Sequence, residues 1–120
     1  MIIDRAFAER FAEEWIAAWN SHDLDRILAH YTDDFDFASP IIVQRMGVPS
    51  GRLKGKAAIR EYWSNGLAWR PDLFFELKDV FVGVGSVVIH YAGLGRRAAA
   101  ESFEFNDAGL VFRSAAHYVS

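Results

Sequence analysis

Glu101 is the residue whose setting most invites chemistry. It lies in the run Ala98-Ala-Ala-Glu-Ser-Phe-Glu-Phe105, where Glu101, Phe103 and Phe105 share one face of an extended strand, because side chains alternate along a strand. A carboxylate among phenylalanines is costly unless paired or neutralised. Desolvation disfavours its charged form and raises its pKa, which makes it an acid, a base or a hydrogen-bond donor usable near neutrality. The competing reading is structural: a carboxylate paired with Arg, His or Tyr, or a strand parity that turns Glu101 to water. Asn106-Asp-Ala-Gly109 follows, a turn cluster between two strand patterns and a good hairpin signal.

Other side chains qualify as partners. Trp15 and Trp63 fall at helical apolar positions, where they wall a cavity or simply pack, and the Trp15 indole N–H is available to a ligand oxygen. Phe35, Phe37 and Ser39 share one face of a short strand. If the phenylalanines point inward, Ser39 follows as a pocket hydrogen-bonder and Asp36 turns to solvent or a partner subunit. Tyr31 and Tyr62 offer hydroxyls near the same place, or serve as hydrogen-bonded core tyrosines. The four histidines do not cluster: His22 falls in a helix–helix turn, His30 on the solvated side of the second helix, and His90 and His117 on strands. A metal site needs convergent ligands, so no metal is expected. The parity of His90 depends on an uncertain hairpin length. Within reach of Glu101 it would complete an acid–base pair. Arg52–Lys54 and Arg96-Arg97 read as solvated turns, and no phosphate-cradling glycine motif is present.

Positioning these groups requires a scaffold. The 120 residues suffice for one domain, residues 1–120, with one core. Aromatics make up 15%, a share that suits a lined cavity. The net charge of −3 with no basic stripe argues against nucleic acid. No cysteine is present, which removes disulfides, thiolate zinc sites and cysteine nucleophiles. No apolar run approaches ~18 residues, so the expectation is a cytoplasmic protein without a membrane segment.

Asp4 caps a helix to about Asn20, with Ile3, Phe7, Phe11, Trp15 and Ala18 at three- and four-residue spacing. Asp23 caps a second, Leu24 to Tyr31. Phe35–Ser39 is a strand stopped by Pro40, after which Ile41-Ile-Val continues the sheet or crosses the pocket mouth. Residues 46–55 form the loopiest stretch. A third helix runs from Lys56 to about Ala68. Strands follow at about Leu73–Val82, Ser86–Ala92, Ala98–Asn106 and Leu110–Val119. Helices followed by hairpin strands make an α+β protein with helices on one face of an antiparallel sheet.

This order, with Trp19-Asn-Ser-His-Asp-Leu, Tyr31-Thr-Asp-Asp-Phe, Gly55-Lys-Ala-Ala-Ile-Arg-Glu-Tyr-Trp and Asn106-Asp-Ala-Gly-Leu-Val, resembles the nuclear transport factor 2-like superfamily, most closely its small SnoaL-like (polyketide cyclase-like) proteins. The resemblance implies a cone-shaped, cystatin-like fold: a curved antiparallel sheet wrapped around a long N-terminal helix, with two further helices and a pocket between them. It implies in turn that Tyr118 points into that pocket, and that Phe103 lines it with Trp15, Phe37, Ser39, Tyr62 and Trp63. Superfamily members include ketosteroid isomerase, scytalone dehydratase, limonene epoxide hydrolase and polyketide cyclases, while others only bind or dimerise, so fold does not settle function. Ketosteroid isomerase uses a helix tyrosine and a protonated acid as an oxyanion hole, and an aspartate before a proline as base. The corresponding positions here hold Trp15, Glu101 and Ser39. Serine there cannot take a carbon-bound proton unaided, so the isomerase reaction is not expected. Neither the Asp/Arg/Asp set of the epoxide hydrolase nor the cyclases' His/Asp pair is found. The resemblance thus implies a small apolar, oxygenated molecule in a pocket, with Glu101 and His90 as catalytic candidates for isomerisation, dehydration, cyclisation or hydrolysis. It implies no cofactor. The alternative is a non-catalytic ligand-binding or dimerisation domain. A homodimer through the outer sheet face, which carries Ala115 and His117, is expected either way.

Overall fold

The computed structural model describes residues 2–119. Helix α1 spans Arg5–Ser21, opened by Asp4, whose carboxylate accepts from the Phe7 N–H at 2.8 Å. His22 closes it in the left-handed conformation, φ 60°, its ring nitrogen 2.8 Å from the Leu73 carbonyl oxygen. The apolar stripe buries Ala8, Phe11, Ala12, Trp15, Ala18 and Trp19, as the spacing predicts.

The remaining helices are α2 (Leu24–Leu28), α3 (Pro40–Met46) and α4 (Lys56–Trp69). The strands are β1 (Tyr31–Ala38), β2 (Arg52–Lys54), β3 (Glu76–Val82), β4 (Ser86–Ala92), β5 (Ala98–Phe105) and β6 (Val111–Tyr118). They form one curved, unclosed sheet in the order β2-β1-β6-β5-β4-β3. All neighbours run antiparallel except β1 and β6, which are parallel. The expected α+β architecture is present.

Three local expectations are corrected. Tyr31 fits a helical spacing with Leu24, Ile27 and Leu28, yet it opens β1 opposite Val111 and is fully buried. The polar Thr32-Asp33-Asp34 stretch, which reads as a helix end, is the irregular part of β1 between the Tyr31 and Asp36 pairings. Pro40 does not merely stop a strand. Ser39 caps α3 by accepting from the Ile41 N–H at 3.1 Å, and Pro40 occupies the first turn, where its missing N–H costs nothing. Ile41-Ile-Val is therefore helical, which raises the helix number among the described residues to four. Within the 46–55 loop, Arg52–Lys54 adds β2 to the β1 edge.

The β5–β6 hairpin turns as predicted. The Asn106 side chain accepts from the Ala108 and Leu110 N–H groups, both at 3.0 Å, and Gly109 takes φ 78°, a conformation that favours glycine. The core between α1 and the sheet is aromatic. Phe11 meets Phe103 and Phe105 edge-on at 4.9 Å, and Trp15 contacts Phe103 at 5.3 Å. Burying a ring such as Phe103 completely contributes ~1.5–3 kcal/mol.

Candidate functional site

A cavity of about 510 Å³ opens between the sheet and the helices, within the size range of small-molecule pockets. Its inner wall includes Trp15 and Trp19 from α1, Phe37 from β1, and Tyr62 and Trp63 from α4. Tyr91 on β4 and Glu101 on β5 form part of the sheet side. Pro40, Gln44 and Arg45 of α3, the end of α4 and the β4–β5 turn frame the mouth. A smaller depression of about 210 Å³ lies elsewhere, against Arg5, Glu9 and Glu13 of α1 and Lys78 and Asp79 of β3. Its lining is mostly charged, with Leu77 and Val80 as the apolar members.

Glu101, Phe103 and Phe105 are all buried on one face of β5. Glu101 is 4% exposed, and its Oε1 accepts from the Tyr91 hydroxyl at 3.1 Å. The pair follows from register. Tyr91 sits opposite Ala99 and Ile89 opposite Glu101, so Tyr91 and Glu101 are diagonal neighbours on one face. Burial pushes the Glu101 carboxyl up to about 8, and the Tyr91 bond offsets only part of that rise. All four tyrosines of the chain surround this carboxyl closely enough to feel its charge. Burial is the main cause of their raised pKa values, and the negative charge of Glu101 adds to it.

The structure separates the candidates. Trp15, Phe37, Tyr62, Trp63, Glu101 and Tyr118 line the cavity. The Trp15 indole N–H, however, donates to the buried Tyr31 hydroxyl at 3.0 Å, so it is already engaged. Ser39 is buried behind the wall. It caps α3, and the Tyr62 and Tyr118 hydroxyls both interact with its side chain. Phe103 lies deeper, packed between Phe11 and Trp15. His90 is not brought to Glu101. Val87, Ile89 and Tyr91 take the inner face of β4, which leaves His90 on the outer face with Nδ1 3.3 Å from Asp79 Oδ2. Asp36 is directed to the sheet edge, 3.3 Å from Arg52.

Sequence reasoning missed Tyr91, the direct partner of Glu101. Its signal was the alternation Val87, Ile89, Tyr91, usable once the β4–β5 register is known. Trp19, present in the sequence reading within the Trp19-Asn-Ser-His-Asp-Leu motif, also borders the cavity, and its buried Nε1–H lacks an acceptor among the described residues. No group of three or more potential metal ligands converges among the described residues.

The geometry agrees with the comparisons. The SnoaL-like domain model matches residues 12–119. The chain belongs to the SnoaL-like family. A crystal structure of a SnoaL-like protein of unknown function from Burkholderia thailandensis E264 is 49% identical, with TM-score 0.97 and all of both chains covered. A cystatin-like-fold protein of unknown function from Methylobium petroleophilum PM1 is 19% identical, with TM-score 0.77, covering 100% of this chain and 80% of that one. The epoxide hydrolase/cyclase-like enzyme SalBIII, described in pyran ring formation in the polyether salinomycin, is 18% identical, with TM-score 0.75 and coverages of 97% and 93%. These last two likenesses are of fold. No match is found among curated proteins. The SnoaL-like family includes isomerases and cyclases, and its shared scaffold leaves the chemistry to the side chains of each pocket.

Proposed function

We propose that this SnoaL-like protein holds a small, mostly apolar, oxygenated molecule in its aromatic cavity, and that the Glu101 carboxyl donates a hydrogen bond or a proton to an oxygen of that molecule. The observation that carries this reading is a carboxyl buried to 4% exposure on the wall of an aromatic cavity, where burial pushes its pKa up to about 8. At neutral pH such a group is mostly a neutral acid, yet enough of it is ionised to accept a proton as well. A group balanced in this way can take and return a proton within one turnover. The surrounding rings exclude water, which strengthens hydrogen bonds inside.

Among the described residues Glu101 is the single carboxyl on the cavity wall, and His90 faces away. This favours reactions that one acid–base group can run, such as dehydration, isomerisation or acid-assisted ring closure, over those needing a separate base. The same observation supports a second reading, a binding domain without turnover, in which neutral Glu101 serves only as a hydrogen-bond donor. The substitution Glu101→Gln separates the two, because glutamine keeps a donor but cannot exchange a proton. Against a panel of small cyclic ketones, alcohols and epoxides, the catalytic reading predicts turnover by the wild type and loss of ~10²–10⁴-fold in the variant, with ligand affinity kept. Turnover that survives the substitution would refute a catalytic Glu101.

We also infer that two copies meet through the outer face of β4, β5 and β6. The register places Ala100 beside His90 and His117, and Ser102 beside Val88 and Ala115, so small side chains run along β5 at the centre of that face. Such a surface lets two sheets approach closely around a two-fold axis.

A further inference from the structure

The rim of the cavity is built differently from its interior. Three arginines line it: Arg45 on α3, Arg70 just after α4, and Arg97 just before β5. Arg70 is satisfied by Asp72, which accepts two bonds at 3.1 and 3.0 Å. The other two have no carboxylate partner among the described residues. The Arg45 guanidinium lies 4.2 Å from the centre of the Trp69 ring, and Arg97 donates to the Val119 carbonyl at 3.2 Å. Among the described residues both keep most of their N–H groups uncommitted. Stacking on an indole fixes the guanidinium plane while leaving its edge free, which suits it to bidentate capture of a carboxylate. Arg45 is exposed, yet it lines the cavity and its charge acts on the Tyr62 hydroxyl, so it stands on the cavity side of α3. The chain as a whole is acidic, with 16 acidic residues against 13 Lys and Arg. A local excess of arginine at an apolar mouth departs from that background.

We propose that the cavity takes an amphipathic acid, with its ring-sized apolar body in the aromatic interior and its carboxylate held at the mouth by Arg45 and Arg97. This rests on the small-molecule reading given above and narrows it to a ligand class. It also sets the orientation. A charged group would be costly beside the buried Glu101 and its tyrosines, so the anionic end stays outward and an uncharged, oxygen-bearing end meets Glu101. Arginine–carboxylate bonds are charge-assisted and directional, and they discriminate strongly against a neutral isostere. The rim would thus select the ligand, and the inner acid would act on it.

Two matched probes test the assignment: 2-naphthoic acid, and 2-naphthamide, its neutral counterpart of nearly equal shape. Their affinities are measured by titration calorimetry on the full chain near neutral pH, at low and moderate salt. The wild type is expected to bind the acid about tenfold or more tightly than the amide, with the advantage shrinking as salt rises. In the double variant Arg45→Ala/Arg97→Ala the preference is expected to fall to within about twofold, with amide affinity unchanged. Arg45→Gln/Arg97→Gln, which keeps side-chain volume, should behave alike and guards against a packing artefact. Equal or tighter binding of the amide by the wild type, or an acid preference that survives both double variants, would overturn the proposal while leaving the cavity reading intact. Failure of both probes to bind would overturn the cavity reading and this inference with it.

Discussion

Between about pH 4.5 and 8, folded Glu101 holds a proton that the unfolded chain has released. Its folded pKa is raised, so its contribution to stability is fully present below 4.5 and lost as pH rises through 8. The unfolding free energy of the wild type should therefore fall across that window, on the order of a few kcal/mol. Glu101→Gln removes this titrating group, so its urea-unfolding free energy should lack the fall and keep only the opposite trend of His30, whose pKa burial lowers. Parallel slopes for the two proteins would show an ordinary, solvated carboxylate. The burial of this residue was legible in the sequence because Phe103 and Phe105 follow at two-residue steps and Gly109 marks the hairpin. Its partner was not legible. Whether β4 offers Tyr91 or His90 to Glu101 is decided by the Ala92–Ala98 pairing across the β4–β5 turn, and a 3-10 turn at Leu94–Arg96 sets that length.

At the scale of elements, the helix stripe of α1, the strand alternation of β5 and the Asn106–Gly109 turn were readable because each is a local pattern with one geometric outcome. The Ser39-Pro40 junction was readable too but ambiguous, since the same dipeptide that halts a strand also starts a helix. The 3.6-residue spacing that draws Tyr31 into a helix was outweighed by its burial opposite Val111. The outer faces of β4, β5 and β6 carry the dimer prediction. Sedimentation velocity should give twice the 13.6 kDa chain mass for the wild type, and a monomer for Ala115→Arg, which places a long cation opposite Ser102 at the centre of the face. A wild type that stays monomeric at every concentration tested, or an Ala115→Arg dimer, would remove that contact.

At the scale of the whole molecule, a sheet open on one side gathers groups that lie far apart in the chain around one hollow. Trp15, Phe37, Tyr62, Tyr91, Glu101 and Tyr118 come from six different elements. The rim arginines come from three more segments, which is why Arg97 reads as a solvated turn residue in the sequence and Arg45 draws no notice there. Among the described residues no helix is long and apolar enough to cross a membrane. The account depends most on one property of that cavity: its carboxyl is neutral where the protein works.

The direct measurement is the pH titration of the Glu101 side-chain carboxyl carbon by NMR, in protein labelled with 13C at glutamate and assigned by loss of the signal in Glu101→Gln. The account predicts a midpoint near 8, moving higher in Tyr91→Phe, where the bond that lowers it is gone. A midpoint at or below about 4.5 would contradict it.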